Sequence, residues 1–85
     1  MKTLQTRTVT VTITEHQLNQ IAALFIQNAN SFKSQLTVSR GDNSVNAKSL
    51  LGFLSLEPPQ GSQVTLTADG PDEEEALQAL AGMLG

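Results

Sequence analysis

The sequence predicts an α+β domain, a four-stranded and mostly antiparallel sheet with three helices on one face, in the order βαββαβα. Three observations carry this. Four short segments alternate apolar and polar residues with a period of two, two longer segments repeat apolar residues every three or four positions, and clusters of turn formers separate them. A sheet whose every strand alternates has one buried and one solvated face, and that puts the helices on a single side.

The first strand is read over residues 6–13, with Val9, Val11 and Ile13 inward and Thr8, Thr10 and Thr12 outward. Thr14 and Gln17 have the spacing of a capping box, and Leu18, Ile21, Ala22, Phe25 and Ala29 then mark a helix that ends near Asn30, with Phe32 closing it. Residues 35–39 and 44–47 alternate on either side of Arg40-Gly41-Asp42-Asn43 and predict a hairpin; Arg40-Gly41-Asp42 is read as turn chemistry, not as an adhesion signal. The dense apolar run Leu50-Leu51-Gly52-Phe53-Leu54-Ser55-Leu56 predicts a two-turn helix capped at Ser49 or just before it and ended by Glu57-Pro58-Pro59-Gln60-Gly61. Residues 63–68 give the fourth strand, with Val64, Leu66 and Ala68 inward. After Asp69-Gly70-Pro71, Asp72 and Glu75 are read as a capping pair for a last helix carrying Ala76, Leu77, Leu80 and Leu84 on one side and fraying at Gly82 and Gly85. The solvated sheet face comprises Thr8, Thr10, Thr12, Thr37, Ser39, Ser44, Asn46, Thr65 and Thr67, all without charge.

At 85 residues the chain is read as one domain over 1–85, with room for one layered core and none for a deep catalytic cleft, so it is not expected to be an enzyme. Five Lys and Arg against eight Asp and Glu give a net charge of −3, which argues against nucleic acid and anionic membranes as partners. The start, Met1-Lys2-Thr3-Leu4-Gln5-Thr6, has no apolar run of signal or spanning length, and a cytoplasmic location is expected. With no cysteine and one histidine, no metal site and no cofactor are expected; the run Asp72-Glu73-Glu74-Glu75 is explained by the positive end of a helix dipole.

The order of elements and the string Ser44-Val45-Asn46-Ala47-Lys48-Ser49-Leu50-Leu51-Gly52-Phe53-Leu54-Ser55-Leu56 resemble the HPr family, the small histidine phosphocarriers of the bacterial sugar phosphotransferase system. The likeness extends without a gap from Thr6 to Leu80 and includes Ala22 to Phe25, Ala29 to Phe32, Gln60-Gly61, Asp69-Gly70 and Asp72-Glu73. It implies an open-faced β-sandwich and protein partners drawn from the phosphotransferase system, a catabolite regulator or its kinase, with no small-molecule substrate. In the family the acceptor histidine lies in a Gly-x-His-x-Arg-Pro-Ala motif at the start of the first helix. The same register puts Leu18 at the histidine, Gln20 at the arginine and Ile21 at the proline. Leucine is no nucleophile, and glutamine lacks the charge and fork of a guanidinium. The pattern is closest to the catabolite-repression HPr branch, in which the histidine is replaced and the serine kept.

The resemblance also makes Ser49 the candidate for regulatory phosphorylation, beside the simpler reading of Ser49 as a helix cap. Lys48 beside it is expected to supply positive charge. A two-turn helix cannot bury every apolar side chain, so Leu50, Leu51, Phe53 and Leu54, with Lys48 and Gln20, are the expected partner-binding residues. Two alternatives stand beside this regulatory reading. One is a genuine phosphocarrier that uses His16; the other is a structural module that associates through its threonine face or sheet edge, the chain being otherwise a monomer or weak dimer.

Overall fold

The computed structural model describes residues 4–85; Met1, Lys2 and Thr3, part of the polar N-terminal stretch, lie outside it. The elements are β1 (Gln5–Thr10), α1 (Glu15–Ser31), β2 (Gln35–Arg40), β3 (Asn43–Asn46), α2 (Leu50–Leu56), β4 (Gln63–Asp69) and α3 (Glu73–Leu84), the predicted order. All neighbouring strands are antiparallel, in the spatial order β1-β4-β2-β3.

Register follows from the alternation. Val9 faces Val64, Val38 faces Leu66 and Leu36 faces Ala68, so the inward residues of three strands form one apolar sheet surface. On the other side two rows cross all four strands, Thr6-Thr67-Thr37-Asn46 and Thr8-Thr65-Ser39-Ser44, the uncharged face that the sequence implies. Against the apolar surface α3 packs on β1 and β4, and α2 on β2 and β3; α1 contacts both helices. Phe25 of α1 and Phe53 of α2, both fully buried, stack with ring centroids 4.4 Å apart and tie these helices together at the centre of the core.

The structure corrects four local expectations. β1 ends at Thr10, not Ile13, because the next donors turn elsewhere: Val11 N–H binds Ser62 O at 2.8 Å, and Thr12 N–H binds Leu84 O at 3.0 Å. Val11 is nonetheless fully buried, and Ile13 is half-buried against the core. The hairpin loop shrinks to Gly41-Asp42, since pairing extends through Arg40 and Asn43. Gly41 has φ +59°, the first central position of a type II′ turn, whose twist matches the flanking strands. Gly82 lies inside α3, which runs on to Leu84.

The fourth correction concerns Asp72. It occupies the N-cap position of α3 but makes no side-chain cap, and Glu75 forms no capping box with it. Its carboxylate is taken by the turn between α1 and β2, where Oδ2 accepts from Lys33 N–H at 2.8 Å and Oδ1 from Ser34 N–H at 3.0 Å and Ser34 Oγ–H at 2.6 Å. These donors, the Ser34 hydroxyl first, hold the Asp72 carboxyl at about 2, below its ordinary 3.8. Ser34 is fully buried and Gly70 lies against it: a Cβ on Gly70 would come within 2.5 Å of Ser34 Cα and Oγ.

Candidate functional site

The site begins at the start of α1, where the spacing of Thr14 and Gln17 does produce a capping box. Thr14 Oγ1 accepts from Gln17 N–H at 3.1 Å, and Gln17 Oε1 accepts from Thr14 N–H at 2.9 Å. The reciprocal bonds fix the first turn and, with it, the directions of the next residues. His16 and Gln20, one turn apart, project into solvent with their Nε2 atoms 3.3 Å apart. When the Gln20 amide donates, the neutral imidazole carries its proton on Nδ1. Leu18 points the other way and is only 5% exposed, a member of the core; Ile21 is half-buried beside it.

Ser49 caps α2, with Oγ accepting from Gly52 N–H at 3.2 Å and its carbonyl accepting from Phe53 N–H at 2.9 Å. Lys48 does not direct its charge at Ser49. Its Nζ donates to the Phe32 carbonyl at 2.8 Å, at the C-terminal end of α1, while the Lys48 carbonyl accepts from Asn30 Nδ2 at 3.1 Å. An ammonium at a helix C-terminus meets the negative end of the dipole, and this is why the side chain turns there. Lys48 therefore joins α1 to the α2 entry and presents little charge to a partner.

The apolar residues of α2 divide by helical phase. Phe53 and Leu56, three apart, face the core and are buried, so Phe53 is not available to a partner as the sequence reading expects. Leu50, Leu51 and Leu54 stay exposed at 41%, 82% and 36%, and α1 adds Leu24. Leu24 escaped the sequence reading because it falls off the buried stripe of α1; an apolar residue out of phase was the available signal.

Between the start of α1 and the end of α2 lies a groove of about 490 Å³. Leu18, Leu54, Pro58 and Pro59 give it apolar walls, and Glu15, Asn19 and Glu57 give it polar ones. The sequence reading used Glu57-Pro58-Pro59 only as a helix stop. In fact Glu57 is the C-cap of α2 in a left-handed conformation, φ 43° and ψ 55°, and that bend brings Pro58 and Pro59 back beside α1. Among the described residues no group of three or more His, Cys, Asp or Glu is arranged to hold a metal ion, and no helix is long and apolar enough to cross a membrane.

A four-stranded open sheet covered on one face, with the capped start of a long helix beside a short serine-capped helix, defines the class of small HPr-type domains. The comparisons agree. The family described as the PTS HPr component phosphorylation site matches residues 5–85, and the chain belongs to this HPr family of the phosphotransferase system. The HPr-like protein Crh of Bacillus subtilis (strain 168) is 50% identical over 60 residues, 71% of this chain and 71% of that protein. The phosphocarrier protein HPr of Cupriavidus necator is 44% identical over 63 residues, 74% of this chain and 71% of the relative. The crystal structure of a phosphocarrier protein HPr from Bacillus anthracis superposes with a TM-score of 0.90 at 38% identity, covering 96% of this chain and 98% of the other. Fold and family are those expected from the sequence.

Proposed function

We propose that this HPr-family protein carries no phosphate on histidine and acts as a regulatory binding protein through the α1–α2 face, with Ser49 as its phosphorylation site. The observation that carries this reading is the burial of Leu18. In the proposed register Leu18 stands where the family has its acceptor histidine, and it is spent on the core instead of facing solvent. His16, the other candidate acceptor, pairs with the neutral amide of Gln20, and an amide does not offset a phosphoryl dianion as a guanidinium does.

The exposed Leu50, Leu51 and Leu54 support docking through α2, and the neighbouring Ser49 supports its control. Phosphate added to Ser49 Oγ stands at the first turn of α2, where Gly52 N–H already donates to that oxygen and the helix start favours negative charge, so a doubly charged group is accommodated without breaking the helix. The same group sits beside the leucine ridge, where it changes what the ridge can bury. The family's partners, the proteins of the phosphotransferase system, supply the test. The chain is incubated with phosphoenolpyruvate and the general phosphotransferase enzyme, and separately with ATP and the serine kinase of that system. Acid-stable phosphate at Ser49 in the second reaction alone is the expected result. Acid-labile phosphate in the first, abolished by His16→Ala, makes the chain a carrier and overturns the proposal.

A further inference from the structure

The groove at the start of α1 has the wrong charge for an anion. Two acidic residues, Glu15 and Glu57, line it together with the neutral Asn19, and no Lys or Arg does. The α1 N-terminus contributes roughly half a positive charge, which two full negative charges exceed. Arg40 on β2 donates Nη1 to the Glu57 main-chain carbonyl at 3.4 Å, a bond to the backbone and not to the Glu57 carboxylate. His16 adjoins Glu15 in sequence but pairs with Gln20 on the solvent side of α1. The apolar walls, Leu54, Pro58 and Pro59, lie beside these carboxylates and continue into the exposed leucines of α2.

We infer that this groove receives an arginine side chain presented by a protein partner, the stem lying on Leu54, Pro58 and Pro59 and the guanidinium directed to Glu15 and Glu57. The inference rests on the preceding reading of this face as a docking surface and names the chemistry of what docks. A guanidinium is planar, weakly hydrated and matched to carboxylates, so it suits a site that is half apolar and half acidic better than an ammonium does. A bare divalent cation would need more oxygen ligands than the groove offers, since no cluster of three is present among the described residues. Burial of the neighbouring leucines against the same partner supplies the contact area that one ion pair lacks.

The test uses the full chain, ¹⁵N-labelled, titrated with the peptide acetyl-Leu-Arg-Leu-amide, its citrulline counterpart and inorganic phosphate. Citrulline keeps the shape of arginine and removes the charge. Saturable shifts of the Asn19, Leu54 and Glu57 amides with the arginine peptide are expected. Binding should weaken at least about fivefold for citrulline and for the E15Q/E57Q variant, whose melting temperature serves as the folding control. Equal binding of both peptides, an unaffected double variant, or the absence of saturable shifts overturns the inference. So does phosphate moving the same amides. Failure here leaves the phosphorylation result at Ser49 untouched, whereas acid-labile phosphate on His16 removes the regulatory reading whatever the peptides do.

Discussion

Leu51 and Phe53 are two residues apart on one short helix, and truncating each to alanine should separate docking from folding. Phe53 is fully buried and stacked on Phe25 at 4.4 Å, so Phe53→Ala loses the transfer energy of the ring, the cavity term and the stack, together about 3–5 kcal/mol. Domains of this kind have only about 5–15 kcal/mol to lose, so the variant forfeits from a fifth of its stability to all of it. Leu51 is 82% exposed and Leu51→Ala should fall within about 0.5 kcal/mol of the parent. The chain has no Trp or Tyr, so urea unfolding is followed by far-ultraviolet circular dichroism. With a slope of about 1–2 kcal/mol per molar urea, Phe53→Ala lowers the midpoint by at least about 1.5 M and Leu51→Ala by less than about 0.5 M. In the same samples Leu51→Ala should raise the KM of the serine kinase at least about fivefold, the effect of losing roughly 1 kcal/mol of contact. A Leu51→Ala midpoint as low as that of Phe53→Ala would refute the division of α2 into a buried and a docking face, as would an unchanged KM.

The other expectations concern the corners of the fold. Because the Asp72 carboxyl is lowered to about 2 in the folded protein from an ordinary 3.8, its stabilising contribution is complete above the higher value and lost as pH falls through the lower one. The melting-temperature gap between the parent and Asp72→Asn should therefore be constant from neutral pH down to about pH 5 and close between about pH 4 and pH 2. Gly70→Ala puts a Cβ 2.5 Å from the Ser34 backbone and should cost about 1–3 kcal/mol in urea unfolding, since the Cα it meets cannot rotate away. Glu57→Gly relieves a left-handed residue at φ 43° and should gain about 0.5–1 kcal/mol by the same assay. Leu18→His should lose about 2 kcal/mol and still accept no phosphate from phosphoenolpyruvate.

What could be read in the sequence was what its neighbours decide. Thr14 and Gln17 bond each other three residues apart, as do Ser49 and Gly52, and spacing alone reveals such pairs. Strand faces were equally legible, because period-two burial is a property of the strand and one buried side fixes register. The misread residues have partners far along the chain. Asp72 has the sequence position of a cap, yet Ser34, 38 residues earlier, takes its carboxylate. Lys48 borders Ser49, yet Phe32, 16 residues away, takes its ammonium. The groove was invisible for the same reason, since Glu15 and Glu57 come to line one groove only once α1 and α2 have packed. Phe53 lay in an apolar run too dense for its buried side to be told from its exposed one without the sheet beneath it.

If Leu18 stands at the acceptor position, as proposed, its burial accounts for a change of chemistry at that site while the fold persists. An acceptor residue must face solvent to meet its donor, and it therefore contributes little to the core. A leucine brought from that position into contact with the core gains about 1.5–3 kcal/mol of burial, a sizeable share of a small domain's stability. Nothing in the scaffold depends on a charge there. The helix start is held by Thr14 and Gln17, the α2 entry by Ser49 and Lys48, and the α3 start by Asp72 on Ser34. Exchange at this one position thus stabilises the fold and, in the proposed register, removes the nucleophile in the same step. Returning a histidine reverses only the first effect: it buries an imidazole without a hydrogen-bond partner, while Gln20 still supplies no positive charge for a phosphoryl group.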